Sequence, residues 1–166
     1  MKIASKWVLG ALAIGLFSPQ AQALDVLGTS GTGPVGNCQA ALPAYEGQTR
    51  KRPLAVINES PNTAFVTCAF TTEEISIAVQ SFSTRVSNLS AVSATVNCTG
   101  VIGDELEDAD YIAKSITLAP GADGDLTWTS ADNGGLLFAK SVAISCALPS
   151  FTGLNRNRVT TLLSIL

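Results

Sequence analysis

Five carboxylates lie close together in this 166-residue chain, and they are its most obvious candidates for chemistry. They occupy the stretch GDELEDAD and are Asp104, Glu105, Glu107, Asp108 and Asp110. Oxygen ligands of this kind hold calcium, and two facing carboxylates also catalyse glycoside hydrolysis. Their spacing differs from that of an EF-hand loop. We therefore expect a solvated acidic loop, with calcium binding as the alternative and a two-acid hydrolase as a more distant hypothesis.

Other catalytic chemistry finds little support in the residue types. The sequence contains no histidine, which excludes Ser–His–Asp and Cys–His catalysis and the usual zinc ligands. Beyond the first residues the lysines are Lys51, Lys114 and Lys140, and none follows a serine at S-x-x-K spacing. We expect no catalytic residues and no enzymatic activity.

Aromatic side chains offer a different function, the binding of carbohydrate, because sugars stack on exposed rings flanked by polar groups. Tyr45 and Phe151 lie in expected loops and are candidates for such contacts. Trp128 is a third candidate, although its alternation with Leu126 favours a place in the core.

The first 23 residues have the layout of a secretory signal peptide. Lys2 and Lys6 precede an apolar stretch, residues 7–17, and Ala21-Gln22-Ala23 forms a small-residue cleavage site. The apolar stretch is shorter than the roughly 20 residues that a membrane-spanning helix needs. We expect cleavage after Ala23, a secreted or periplasmic chain of residues 24–166, and no later transmembrane segment.

The composition of that mature chain indicates one acidic domain. Without Lys2 and Lys6, 8 basic residues stand against 13 acidic ones, for a net charge of −5. This balance argues against nucleic acid as a partner, because nucleic-acid binding relies on clustered Lys and Arg. No internal repeat and no proline-rich linker is evident, so we expect residues 24–166 to form one domain.

Alternation of apolar and polar residues predicts an all-β fold with about eight strands. The expected strands are 54–58, 64–70, 75–82, 89–101, 111–119, 125–130, 140–148 and 159–166. Many short strands separated by turns favour a sandwich or a barrel, and we expect a two-sheet antiparallel sandwich of jelly-roll type.

Four cysteines predict two disulfides, since an exported chain with an even cysteine count normally pairs them. Cys68, Cys98 and Cys146 each share a strand face with apolar residues, so they should point into the core. Three pairings are possible from sequence. We favour Cys38–Cys68 and Cys98–Cys146, because neighbouring segments pair most often.

The chain also resembles a group of small exported bacterial proteins with no assigned activity. The resemblance rests on the early Cys38, an N-x-S turn at Asn58 before Cys68, the strand ending at Cys98, and the closing C-x-L-P segment at Cys146. It covers nearly the whole mature chain and implies the sandwich and the disulfides, but no chemistry.

These observations favour an exported, non-enzymatic structural or interaction module of the cell envelope or extracellular space, with a protein or glycan partner. The alternative is a carbohydrate-binding module, in which calcium held by the acidic loop would assist.

Overall fold

The computed structural model describes residues 24–70, 78–103, 106, 108–135 and 141–165, so the expected signal peptide lies outside the described residues. Within these ranges the chain forms two one-turn helices, α1 (Pro34–Asn37) and α2 (Pro43–Glu46), a 3-10 helix (Ser130–Asn133), and eleven strands. The strands are β1 (Leu24–Thr32), β2 (Cys38–Ala40), β3 (Thr49–Arg52), β4 (Ala55–Asn58), β5 (Ala64–Phe70), β6 (Ala78–Asn88), β7 (Ala94–Ile102), β8 (Asp110–Leu118), β9 (Asp123–Thr129), β10 (Val142–Leu148) and β11 (Thr152–Ile165). No helix in these ranges has the length and hydropathy needed to cross a membrane.

The strands form two antiparallel sheets that face each other. Sheet A has the order β3-β4-β11-β6-β9, with β1 paired to the second half of β11, and sheet B has the order β2-β5-β10-β7-β8. Among strands β4 to β11, every chain connection except β7–β8 passes from one sheet to the other. This is the jelly-roll arrangement. The expected sandwich is confirmed, and the three strands β1, β2 and β3 add to the expected eight.

The turn before β7 explains why this strand begins later than expected. The segment 89–101 was expected to be strand throughout, but β7 begins at Ala94. The buried side-chain amide of Asn88 donates to the carbonyl oxygens of Val92 (2.8 Å) and Leu118 (3.0 Å), and the backbone N–H of Ser90 donates to its oxygen (3.0 Å). These bonds hold residues 89–93 in an arch, a loop that joins one sheet to the other, and local side-chain bonds of this kind compete with strand pairing.

Aromatic rings fill one part of the core between the sheets. Phe82 on β6 stacks on Trp128 of β9, with ring centroids 5.1 Å apart, and Phe70 meets Phe82 edge-on at 5.5 Å. Gly100 on β7 lies beneath this cluster, where an added Cβ would come within 2.7 Å of Trp128 Nε1. The indole N–H donates to the carbonyl oxygen of Ile112 on β8 (2.8 Å), so the buried polar atom of this ring is satisfied.

Both expected disulfides are present, and both lie within sheet B. Cys38 and Cys68 face each other across β2 and β5, and Cys98 faces Cys146 across β7 and β10. All four side chains are buried, and no free cysteine remains among the described residues. The loops closed span 30 and 48 residues, for which chain-entropy arguments give about 4 kcal/mol of stabilisation each.

Candidate functional site

The outer face of sheet B is built from small and hydroxyl-bearing side chains. Alternation along the strands directs Val66, Cys68 and Phe70 inward, which turns the residues between them toward solvent. On the central strand β10, the outward residues are Ala143, Ser145 and Ala147. These three side chains are small, so the middle of the face is low.

A shallow, open cleft of about 420 Å³ lies on this face. One row across it runs from Phe65 through Ala147 and Asn97 to Ser115, as the strand register places them side by side. The neighbouring row contains Thr67, Ser145, Thr99 and Ala113. The cleft therefore presents amide and hydroxyl groups on a floor of alanine and serine.

Phe65 lines one flank of the cleft, and Tyr45, which is not itself a lining residue, packs against it. Tyr45 in the one-turn helix α2 packs on Phe65 of β5, with ring centroids 5.6 Å apart and planes inclined by 45°. Phe65 is 41% exposed, which is unusual for a phenylalanine within a strand, and Tyr45 is half-buried. Tyr45, which was a candidate from the sequence, thus lies behind Phe65 at the edge of the cleft.

The sequence reasoning missed Phe65 and Tyr111 as surface aromatics. Tyr111 is 58% exposed on the outer face of β8, two strands from Ala143 in the same row. The signal was available, because Phe65 alternates with the buried Val66 and Cys68, and the same alternation turns Tyr111 away from Ile112. A phenylalanine that alternates with the buried residues of its strand is therefore expected on the outer face of the sheet.

Trp128 is not a ligand-binding residue. Its side chain is 0% exposed, stacked on Phe82 and bonded to the carbonyl of Ile112, so no ligand at the surface can reach its ring. Including it among the candidate contacts was wrong, and the core position that its alternation with Leu126 favoured is the observed one.

Phe151 is exposed, but it is not among the residues that line the cleft. It lies in the arch between β10 and β11 with a positive φ of 55°, and its backbone N–H donates to the carbonyl of Asn58 (2.8 Å). In turn its carbonyl accepts from the N–H of Leu89 (2.8 Å). The backbone of Phe151 therefore links the end of β4 to the arch that follows β6.

The acidic stretch falls mostly outside the described residues. Asp104, Glu105 and Glu107 are not described, while Asp108 and Asp110 are exposed next to the start of β8. Within the described ranges, no group of three or more His, Cys, Asp or Glu side chains is placed to hold a metal ion. Calcium binding by this loop stays a prediction.

The one titratable side chain among the residues lining the cleft, Lys114, is already engaged. Its ammonium donates to the carbonyl of Thr127 (2.7 Å) and to the carboxylate of Asp132 (2.8 Å). The pKa of Asp132 lies below its ordinary value, first because of the hydrogen bond from Lys114 and then because the backbone N–H of Thr129 also donates to it. No carboxylate lines the cleft, so its described walls offer no acid–base pair.

A second hollow, of about 200 Å³, lies on the outer face of sheet A. Beside it Arg85 pairs with Asp125 (3.2 Å) and Asp123 (3.4 Å), and Arg156 lies 3.9 Å from Asp125. These ion pairs are partly exposed, and pairs of that kind contribute little to stability. Arg158 also lines the hollow and adds a further positive charge to this face, whereas the cleft of sheet B is the larger of the two and has an aromatic side chain in its lining.

No protein-family model matches the sequence, and no curated protein matches it either. Solved structures with a similar fold include the C-terminal family 22 carbohydrate-binding module of Clostridium thermocellum Xyn10B, with 15% identity over 83% of this chain and 87% of that one, and a TM-score of 0.42. The carbohydrate-binding module CBM4 matches at 9% identity over 77% and 78%, TM-score 0.38. A protein of the disulfide-linked pili of Bacillus endospore appendages matches at 12% identity over 96% and 100%, TM-score 0.36. Values this low carry no inference about what the present chain binds.

Proposed function

We propose that this protein is an exported interaction module without enzymatic activity, and that it binds its partner on the outer face of sheet B. The observation that carries the proposal is the open cleft there, which has polar and aromatic contacts and no carboxylate pair. Two disulfides with no free cysteine in the described ranges support an oxidising destination.

The ligand class that fits this surface is a neutral glycan chain. The ring pair of Tyr45 and Phe65 offers an apolar flank on which the C–H face of a sugar can pack. Beside it, Asn97, Ser115 and Ser145 offer donors and acceptors for sugar hydroxyls. The cleft is open rather than enclosed, which suits one segment of a long chain.

The experiment is a glycan and polysaccharide panel probed with the disulfide-bonded protein, followed by titration calorimetry on any hit. The Phe65→Ala variant should weaken binding at least about fivefold, because removing an anchoring aromatic from an interface costs about 1 kcal/mol or more. A cleft-filling Ala147→Leu variant should weaken it as well.

Phe151→Ala is the matched control, since it removes an exposed aromatic ring outside the cleft. It should bind as the unmodified protein does. Equal losses in Phe65→Ala and Phe151→Ala would place the ligand elsewhere, and no binding across the panel would turn the search to protein partners of the envelope.

Calcium assistance is tested in the same titration by adding a chelator. If the acidic loop around Asp108 and Asp110 holds calcium, chelation should lower both the glycan affinity and the melting temperature. Unchanged values would remove calcium from the proposal.

Export is tested by the N-terminal sequence of the protein recovered outside the cytoplasm. We expect this sequence to begin at Leu24, directly after the small-residue site. Recovery of a chain that still begins at Met1 would contradict a cleaved signal.

A further inference from the structure

Strand β1 is the edge of sheet A at which a further strand can be added. It has nine residues, Leu24–Thr32, and pairs with β11 along its whole length. No described strand pairs with its other side. An edge of this length presents a row of backbone N–H and C=O groups, which is a template for another strand.

The other edge strands in the described ranges are short, charged or tied to a neighbour. β2 has three residues, and β3 consists of Thr49 followed by three basic residues. At the opposite side of the sandwich, Lys114 of β8 donates to the carbonyl of Thr127 on β9, and Trp128 of β9 donates to the carbonyl of Ile112 on β8. Charges and short length are the devices by which proteins block edge pairing.

β1 lacks these devices. Its sequence, LDVLGTSGT, contains one charge, at Asp25, and no proline or lysine. Leu27 on its outer surface is 59% exposed.

We propose that β1 pairs antiparallel with β1 of a second copy of this chain, joining two sheets A into one continuous sheet. A second copy offers the same unblocked edge in return, so the contact is isologous and closes as a dimer. Pairing centred on Gly28 overlaps all nine residues. It places Leu27 opposite Thr29 of the second copy and Asp25 opposite Gly31, so no like charges meet.

The first test is the mass of the disulfide-bonded protein in solution, measured by light scattering from the low micromolar to the sub-millimolar range. We expect a monomer–dimer equilibrium. Amide hydrogen exchange at the two ends of this range should show added protection confined to β1. A monomer at every concentration, or unchanged exchange in β1, would overturn the proposal.

Charge variants then test the register. In Leu27→Lys/Thr29→Lys, each lysine faces one lysine of the second copy, so the dimer contains two like-charged pairs, and the dissociation constant should rise by roughly tenfold or more. Leu27→Glu/Thr29→Glu should behave in the same way by itself, whereas an equimolar mixture of the two variants should form a heterodimer. Thr63→Lys/Ala91→Lys, which adds the same charge on exposed arches, is the control and should dimerise normally. A lysine variant that dimerises as tightly as the unmodified protein would rule out pairing through β1.

Discussion

Asn58 and Asn88 occupy equivalent positions at the ends of two strands of sheet A. Each side-chain amide donates to the carbonyl of a leucine that ends a strand of sheet B, Leu148 for Asn58 (2.8 Å) and Leu118 for Asn88 (3.0 Å). Each side-chain oxygen accepts from the serine two residues later, at 3.0 Å from the backbone N–H in both cases. The two asparagines therefore form equivalent hydrogen-bonded links between the two sheets.

The equivalence extends through the following strands and reveals a repeat that was not expected from the sequence. Residues 58–68 and 88–98 share the pattern N-x-S-x-x-x-A-x-V-x-C, and each copy ends in a disulfide cysteine. The expectation of no internal repeat was wrong because the identical residues are sparse. Only the inward-facing and hydrogen-bonding positions match, while the arch and outward positions differ.

Replacement of either of these two asparagines should destabilise the fold. Both side chains are 0% exposed, so Asn58→Ala or Asn88→Ala leaves buried carbonyls without donors, and we expect a loss of about 2–3 kcal/mol in the free energy of unfolding. Chemical denaturation monitored by circular dichroism provides the measurement. Asn97→Ala, at an exposed position of β7, should stay within about 0.5 kcal/mol of the unmodified protein.

Removal of the Cys98–Cys146 disulfide should cost more stability than any single surface substitution. We expect Cys98→Ala/Cys146→Ala to lose about 4 kcal/mol, since this bond closes a loop of 48 residues. Cys38→Ala/Cys68→Ala should lose slightly less, because its loop spans 30 residues. Denaturation midpoints of the two double variants give the comparison, and a negligible loss in both would contradict the chain-entropy account.

Gly100 should be intolerant of even a methyl group. Its Cβ would lie 2.7 Å from Trp128 Nε1 and 2.9 Å from Phe82 Cζ, so Gly100→Ala must displace stacked rings in the core. Overpacking of this kind costs about 1–3 kcal/mol. The near-ultraviolet circular dichroism and fluorescence of Trp128 should change with it. Gly36→Ala, where an added Cβ meets nothing within 4 Å, is the control and should leave both spectra unchanged.

The pair of Lys114 and Asp132 should make a small, pH-dependent contribution to stability. Because the folded-state pKa of Asp132 is lowered from 3.8, its contribution is present above the unfolded-state pKa and is lost as the pH falls through the folded-state pKa. Lys114→Met should therefore lower the unfolding free energy at neutral pH, and its difference from the unmodified protein should shrink on the acid side. A difference that stays constant from neutral to strongly acid pH would show that the charge on Asp132 is not involved. Lys51→Met, on the exposed edge strand β3, is the control.

The sequence by itself determined the properties that depend on period and count. Alternation along the strands predicted an all-β sandwich, because inward and outward residues must differ when one face is buried. The even number of cysteines, three of them on apolar strand faces, predicted two buried disulfides, and neighbouring segments indicated the pairing that is observed. The absence of histidine excluded histidine-dependent catalysis, and the scarcity of clustered basic residues argued against nucleic-acid binding.

Only the tertiary structure decided where those strands lie in each sheet and which outward residues meet. Phe65, Ser145 and Asn97 are far apart in the chain, and they form one cleft because β5, β10 and β7 are neighbours in sheet B. Likewise, that no described strand pairs with the outer side of β1 is a property of strand order, which depends on long-range pairing that no local pattern encodes. Trp128 shows the same division, since its alternation placed it on the inner face but only packing against Phe82 and Gly100 removed it from solvent.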